Sequence, residues 1–152
     1  MDARPVIYIL DEPTVMDSLA LALANDLKAE VKLVHTAGQF LDACREKKPN
    51  VIIAELKVPY GSAAQELGGE ADGLLLYPTL RALTKLSNEG LLDGVSSYAT
   101  YNGEAFSVTR LARLVAEGKI RAVLEKPFDD MDFVISLCLE LGLPNPYDGG
   151  TP

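Results

Sequence analysis

Three acidic residues and one lysine stand at or just after the ends of short apolar stretches of the sequence. They are Asp11, Glu12, Glu55 and Lys126. Hard divalent cations prefer oxygen ligands, and a lysine ammonium neutralises phosphate charge. If the fold brings these side chains together, the set suits a divalent cation and a transferable phosphoryl group.

Five apolar segments have the pattern of β-strands. The first and third are continuous and apolar, as expected for strands covered on both faces by helices, whereas the second partly alternates, the fourth is short and half polar, and the fifth is apolar apart from Arg121. The predicted strands are residues 6–10, 31–34, 51–54, 94–99 and 120–124. The acidic residues and the lysine therefore follow the C-terminal ends of strands.

Apolar residues at helical spacing predict a helix after each strand. The first, third and fourth helices are predicted at 15–27, about 74–88 and 104–117. The second is capped by Thr36 and turns Phe40, Leu41 and Cys44 inward, and the last is capped by Asp130. Pro78 lacks a backbone donor, so we expect it in a first turn or at a kink. In the Gly-rich crossover 60–73, Ser62 and Gln65 have capping-box spacing, which predicts a short extra helix ending at Gly68 or Gly69.

Five strands alternating with five helices predict an α/β fold, a doubly wound parallel sheet with helices on both faces. In such folds ligands collect at the C-terminal edge of the sheet. The turn at Asp11 and Glu12, Glu55, the region 97–99 and Lys126 all fall at that edge.

Length and composition limit the class of protein. At 152 residues we expect one domain, and the net charge of −8 argues against direct binding to nucleic acid. No apolar stretch approaches the ~20 residues of a membrane span. Cys44 and Cys138 are isolated and fall on apolar helix sides, which favours buried thiols in a reducing cytoplasm. His35 has no Cys or His near it in sequence, so a zinc site is not expected.

Four stretches of sequence, read together, resemble a known family. They are residues 9–13, 49–59, 72–74 and 124–128. In this order they are similar to the receiver (CheY-like) domain of two-component response regulators. The resemblance runs from residue 5 to about 143 and implies the strand order 2-1-3-4-5. It leaves residues 144–152 as a linker or flexible tail.

The resemblance also implies roles for the residues at the sheet edge. Asp11 takes the position of a direct magnesium ligand, and Leu10 replaces the first acidic residue. Glu55 takes the position of the phosphoaccepting Asp, and its extra methylene fills space that phosphoryl group and metal need. Lys126 is retained, and the bond to Pro127 is implied to be cis.

Other positions of the pocket also depart from the family. The alignment places Tyr98 at the Thr/Ser position, with Ser97 beside it, and Val123 at the switch aromatic, while Lys57 joins the pocket. We therefore expect a degenerate pocket of Asp11, Glu12, Lys57, Tyr98 and Lys126 around Glu55. Magnesium binding at Asp11 and Glu55 should be weak at best, and we expect no catalytic residue and no other cofactor.

The leading hypothesis is a pseudo-receiver, a non-enzymatic signalling domain that acts by protein contact without phosphorylation. The implied contact face is formed by the fourth helix, fifth strand and fifth helix, in a homodimer. The start of the first helix is similar to receivers of LuxR-type transcription regulators, so a C-terminal output module is possible. We expect no direct contact with nucleic acid or membrane.

Two alternatives and several roles remain open at this stage. The first alternative is a working phosphorelay receiver that uses Asp11, Glu12 or another acceptor. The second is a small doubly wound enzyme or nucleotide binder, although GxGxxG, P-loop and nucleophile-elbow motifs are missing. Glu55 either mimics phosphate or is inert, and the acidic turn either binds metal or stabilises a helix dipole. Lys126 either pairs with Glu55 or Asp11, or only snorkels before a structural proline. The 60–73 crossover is either a surface connection or a partner-binding element.

Overall fold

The computed structural model describes residues 4–68, 77–102 and 108–148, the side chains of 108–111 excepted. Five strands are formed: β1 Val6–Leu10, β2 Glu30–Val34, β3 Val51–Glu55, β4 Ser96–Asn102 and β5 Ala122–Lys126. Within the described residues six α-helices alternate with them: α1 Asp17–Asp26, α2 Ala37–Glu46, α3 Ala64–Leu67, α4 Pro78–Asn88, α5 Val108–Ala116 and α6 Asp130–Leu141. A 3-10 turn, Gly61–Ala63, leads into α3.

All strand pairs of the sheet are parallel, and the order is β2-β1-β3-β4-β5. This confirms the predicted doubly wound fold and its strand order. The register pairs Glu55 with Thr100 and Thr100 with Leu124. The C-terminal ends of β1, β3 and β5 therefore share one edge of the sheet.

The sheet separates two apolar cores. Ile52 belongs to the core that contains Phe40 and Leu86, whereas Ile53 belongs to the core that contains Leu23. Successive side chains of a strand point to opposite faces, so a strand buried on both faces is apolar throughout. This explains the continuous apolar sequence of β1 and β3. The second core lies under α1 and α6.

Three of the helix termini agree with the sequence. Thr36 accepts a hydrogen bond from the backbone N–H of Gln39, as predicted for the N-cap of α2. Pro78 occupies the first turn of α4, and the earlier start predicted at residue 74 lies outside the described residues. Gly68 ends α3 as expected.

Three predicted helix starts are wrong. α6 is capped by Asp129, not Asp130, because Asp129 has the extended backbone of a cap and accepts from the N–H of Asp132. Ser62 does not cap the extra helix, whose N-cap is Ala63 without a side-chain bond. α1 begins at Asp17, two residues after the predicted Val15, because the chain first turns at Thr14 with a positive φ.

The remaining sequence predictions concern β4, the cysteines and the chain end. β4 runs on to Asn102, past the predicted end at residue 99. Cys44 and Cys138 are both free and buried, as expected. None of the described helices is long and apolar enough to cross a bilayer. Residues 144–148 fold back, and Tyr147 packs against the core under α1 and α6.

Candidate functional site

The candidate site lies at the C-terminal edge of the sheet. Asp11 follows β1 directly, and Glu55 and Lys126 are the last residues of β3 and β5. The alternation of side chains along each strand turns all three toward the face that α1 and α6 cover. Asp11 is 3% exposed and Glu55 5% exposed, and the Lys126 side chain is also buried. Two carboxylates and one ammonium group thus share a largely dry pocket.

Lys126 bridges the two buried carboxylates. Its Nζ lies 2.7 Å from Oδ2 of Asp11 and 2.6 Å from Oε1 of Glu55. The other oxygen of each carboxylate accepts a backbone N–H, from Glu12 at 2.7 Å and from Lys57 at 3.0 Å. Glu55 Oε1 accepts no hydrogen bond from elsewhere in the described chain. Each carboxylate is therefore held at one oxygen by the ammonium and at the other by the backbone.

The protonation of Lys126 follows from these contacts. Burial alone lowers the pKa of Lys126, because it penalises the charged ammonium. The hydrogen bonds to Asp11 and Glu55 and the two negative charges outweigh burial, so the pKa ends above its ordinary value. Lys126 is charged at neutral pH, and the three groups together carry one net negative charge.

Two further side chains position the site from neighbouring elements. The hydroxyl of Thr79, in the first turn of α4, donates to the backbone carbonyl of Glu55. Nδ1 of His35 lies 2.9 Å from the backbone carbonyl oxygen of Asp11 and donates to it. These contacts hold the ends of β3 and β1, and so fix the backbone that carries both carboxylates.

A cavity of about 190 Å³ opens above the bridge. Besides Asp11, Glu55 and Lys126 its walls include Glu12, Lys57, Tyr77, Tyr101 and Asn102. Glu12 and Lys57 thus line the same cavity as Asp11, Glu55 and Lys126. The cavity is large enough for a small polar group, and carboxylates and lysines both face it.

The arrangement does not suit a divalent cation as it stands. No cluster of three or more potential metal ligands occurs among residues 4–68, 77–102 and 108–148. Lys126 occupies the position between the two carboxylates that were predicted as weak magnesium ligands. A cation bound to the same oxygens would meet an ammonium of like charge a few ångströms away.

The structure places Tyr98 away from this cavity, contrary to the alignment of the sequence. Tyr98 pairs with Ile53 in the sheet, two residues before Glu55. Its hydroxyl donates to Oε2 of Glu140 at 2.9 Å, and its ring packs edge-on against Phe133 at 5.2 Å between centroids. Tyr98 therefore belongs to the core under α6, and its place in the predicted pocket is corrected.

Thr100 is the residue of β4 that the sequence reasoning missed. It pairs with Glu55 in the register and lies on the same face of the sheet. Thr100 is fully buried, and its hydroxyl has no hydrogen-bond partner in the described part of the chain. Thr100 and Tyr101, a β-branched and an aromatic residue that favour strands, were the available signal that β4 is longer. That extension moves Thr100 to the level of Glu55.

The other residues implied by the resemblance are placed as follows. Ser97 is buried in β4, three residues before Thr100. Val123 packs against the core that contains Phe40. The bond between Lys126 and Pro127 is cis, as the resemblance implied.

A five-stranded parallel sheet in this order, with acidic residues and a lysine at its C-terminal edge, defines a receiver-like (CheY-like) fold. The chain is similar to a CheY-like response regulator receiver domain protein from Methanospirillum hungatei JF-1, with a TM-score of 0.67 and 20% identity over 92% of this chain and 95% of that one. It is also similar to the signal receiver domain of an HD domain-containing protein from Pseudomonas fluorescens Pf-5, with a TM-score of 0.65 and 20% identity over 93% and 90% of the two chains.

A third similar structure contains a metal. It is the receiver domain of the sensor histidine kinase PA1611 from Pseudomonas aeruginosa PAO1, with a magnesium ion coordinated in its active-site cleft. The TM-score is 0.62 and the identity 16%, over 92% of this chain and 99% of that one. Comparison of the sequence with family models and with curated proteins gives no match. At identities this low, the comparisons establish only that the chain shares the fold of these domains.

Proposed function

We propose that the chain is a receiver-like signalling domain that acts by protein contact and does not depend on phosphorylation. The observation that carries the proposal is the bridge made by Lys126, whose Nζ lies within 2.7 Å of an oxygen of Asp11 and of Glu55. The ammonium is neutralised by two carboxylates without any added phosphoryl group. The positive charge of Lys126 is therefore already balanced within the pocket.

The position of Glu55 supports the same conclusion. Oε1 faces Lys126 and Oε2 accepts the N–H of Lys57, so neither oxygen is free to attack a phosphoryl donor. The carboxylate also supplies a permanent negative charge, about half the charge of a phosphoryl group. We infer that Glu55 holds the pocket in a single state, so that the pocket does not alternate between an unphosphorylated and a phosphorylated state.

The proposed contact face comprises α5, β5 and α6. β5 is an edge strand, so among the described residues one side of its backbone has no neighbouring strand. Between β5 and α6 lies an open concavity of about 390 Å³, whose walls include Leu124, Phe128 and Ser136. We propose that this face mediates a homodimer, a geometry in which the same patch meets itself. The buried free thiols suit a reducing compartment, so we place the chain in the cytoplasm.

Titration with beryllofluoride and magnesium, followed by amide chemical shifts, tests the proposal. We expect no shifts at Asp11, Glu55 or Lys126, because the ammonium already fills the site. Amide shifts centred on these residues, or a phosphorylated side chain found by mass spectrometry, would show a working receiver.

A matched pair of substitutions separates the length of Glu55 from the rest of the pocket. Glu55→Asp withdraws the carboxylate by one methylene, while Glu125→Asp makes the same change at an exposed position of β5. If length alone blocks chemistry, a small-molecule phosphodonor modifies the first variant and not the second. Inertness of both variants indicates that the missing acidic residue at Leu10 also matters.

The homodimer is tested on its own face. Ser136→Arg adds a charged side chain to the concavity, and Ser87→Arg makes the same change on the exposed surface of α4. Analytical ultracentrifugation should show a weaker dimer for the first variant only. Equal dimerisation of both variants would exclude this face as the interface.

A further inference from the structure

The outer surface of α1 and α6 carries exposed apolar side chains. The two helices pack side by side, and the hydroxyl of Ser18 donates to Oδ2 of Asp130 at 2.6 Å, so their first turns are level. On this surface Leu21 is 63% exposed, Met131 52% and Leu139 79%. Exposure of this degree is unusual for several large apolar residues on neighbouring helices.

Helical geometry gathers these side chains into one patch. Residues four apart on a helix share a face, so Met131, Ile135 and Leu139 form one stripe along α6. Phe133 and Leu137 face the sheet and Asp130 meets α1, which leaves the stripe on the outward side of α6, next to α1. Since the first turns are level, the second turn of α1 brings Leu21 to the height of this stripe. We name Leu21, Met131, Ile135 and Leu139 the α1/α6 patch.

The helices next to the α1/α6 patch are acidic. α1 and α6 contain five acidic residues and no Lys or Arg, namely Asp17, Asp26, Asp130, Asp132 and Glu140. Glu140 is ion-paired with Arg121 and, like Asp132, borders the concavity beside β5, so the charge beside the patch is that of Asp17, Asp26 and Asp130. A second copy of this chain would bring the same negative charges against them, and the chain as a whole carries −8. Like charges across an interface cost binding energy, whereas opposite charges steer a partner into place.

We propose that the α1/α6 patch docks a basic amphipathic helix of a protein partner. The apolar side chains of such a helix would cover Leu21 and Leu139, and its lysines or arginines would lie against the carboxylates at the rim. An apolar surface shared by two neighbouring helices, with charged residues at its edge, suits the apolar face and basic side chains of such a helix. This patch shares α6 with the proposed α5, β5 and α6 face but uses Met131, Ile135 and Leu139 instead of Ser136, so each proposal is tested by its own variants.

The experiment uses the full chain and a synthetic helical peptide of leucine and lysine, with leucines at i, i+3, i+4 and i+7. Isothermal titration calorimetry should show binding that weakens as salt is raised, because the rim charges are exposed. A scrambled peptide of the same composition and a leucine–glutamate peptide of the same pattern should bind far more weakly. Equal binding of the scrambled peptide would show that binding depends on charge alone and not on an apolar helix face, and would overturn the proposal.

Substitutions then locate the site. The double variant Leu21→Gln, Leu139→Gln keeps good helix formers at exposed positions, and we expect its affinity for the leucine–lysine peptide to fall at least about tenfold. The control is Leu33→Gln, which changes an exposed leucine on β2 and should bind as the wild type does. Unchanged binding by the double variant contradicts the proposal. So does a wild-type dimer that the double variant abolishes, because the patch would then be a self-interface.

Discussion

At the level of single residues, Lys126 is the side chain on which the site depends. It is the cation between two buried carboxylates, and it lies at the end of the edge strand β5. A buried charge that loses its partner is costly, because neither water nor another counter-charge replaces it. The bridge is therefore a structural requirement as well as a functional feature.

Replacing Lys126 with methionine tests this dependence. Lys126→Met leaves Asp11 and Glu55 facing each other without a cation, and we expect the free energy of unfolding to fall by about 3 kcal/mol. The control is Lys119→Met. The Lys119 side chain is 67% exposed and its ammonium lies 3.9 Å from Oε2 of Glu117, so its loss should cost less than about 0.5 kcal/mol. Urea denaturation measures both variants.

The stability difference between wild type and Lys126→Met depends on pH through the raised pKa of Lys126. A lysine with a raised folded pKa contributes its full stability below the unfolded pKa of about 10.4, and loses it as pH rises through the folded pKa. The stability difference between wild type and Lys126→Met should therefore be constant near neutrality and shrink only at strongly alkaline pH. A difference that already shrinks near pH 7 would contradict the assignment.

Tyr98 makes a second alkaline prediction. Burial, the hydrogen bond to Glu140 and the charge of Glu140 all raise the pKa of Tyr98, and Arg121 only partly opposes them. Above about pH 10 the unfolded phenol ionises while the folded one stays neutral, so stability falls as pH rises. Tyr98→Phe should cost about 1 kcal/mol near neutrality and lose less stability than wild type above pH ~10. Tyr60→Phe is the control, and parallel alkaline profiles for wild type and Tyr98→Phe would refute the prediction.

At the level of elements, the sequence predicted best where burial is complete. β1 and β3 were predicted to within one residue at each end, because strands buried on both faces are apolar throughout. Chain order alone then brought Asp11, Glu55 and Lys126 to one edge, since parallel strands end together. The same reasoning failed for Tyr98, because β4 is partly polar and its end cannot be read from hydrophobicity. Its true end at Asn102 shifts the pairing of Glu55 to Thr100.

Helix caps and short helices were harder to predict from the sequence, for a physical reason. Asp129 and Asp130 are both good capping residues, and only the backbone conformation decides between them. The bridge made by Lys126 was foreseen only as a pair with either carboxylate. Its simultaneous contact with both depends on distances that no sequence spacing contains.

The junction between α2 and the 3-10 turn gives a prediction at this scale. The backbone N–H of Gly38 donates to the carbonyl of Tyr60 at 3.0 Å, so the start of α2 lies against the crossover. A Cβ at Gly38 would lie 2.3 Å from Oγ of Ser62 and 3.0 Å from the backbone nitrogens of Ser62 and Ala63. An unhindered Gly→Ala change inside a helix usually stabilises it. Here we expect Gly38→Ala to destabilise the chain by about 1–3 kcal/mol.

A second variant distinguishes the close contact from other effects. Adding Ser62→Gly to Gly38→Ala removes the hydroxyl but not the backbone contacts, so it should relieve the strain only in part. Urea denaturation of the single and double variants measures the coupling between the two positions. A stabilising Gly38→Ala would mean that the crossover moves away at no cost.

At the level of the whole molecule, residues 144–148 pack against the rest of the domain. Tyr147 packs against the core under α1 and α6, its hydroxyl donates to Oδ2 of Asp26, and its backbone N–H donates to Oδ1 of Asn145. Burial, together with the hydrogen bond to Asp26, raises the pKa of Tyr147 to about 12. We therefore propose that the folded domain extends at least to residue 148, five residues past the boundary at 143 that the resemblance implied.

Two truncations decide between these boundaries. Ending the chain after residue 143 removes the packing of Tyr147 and its bond to Asp26, and should lower the free energy of unfolding by about 1–2 kcal/mol. Ending it after residue 148 keeps both contacts and should change stability little. Tyr147→Phe in the full chain removes the hydrogen bond alone, so it should fall between the two. If the chain ending at 143 is as stable as the full chain, residues 144–148 act as a linker, and the shorter domain is the folding unit.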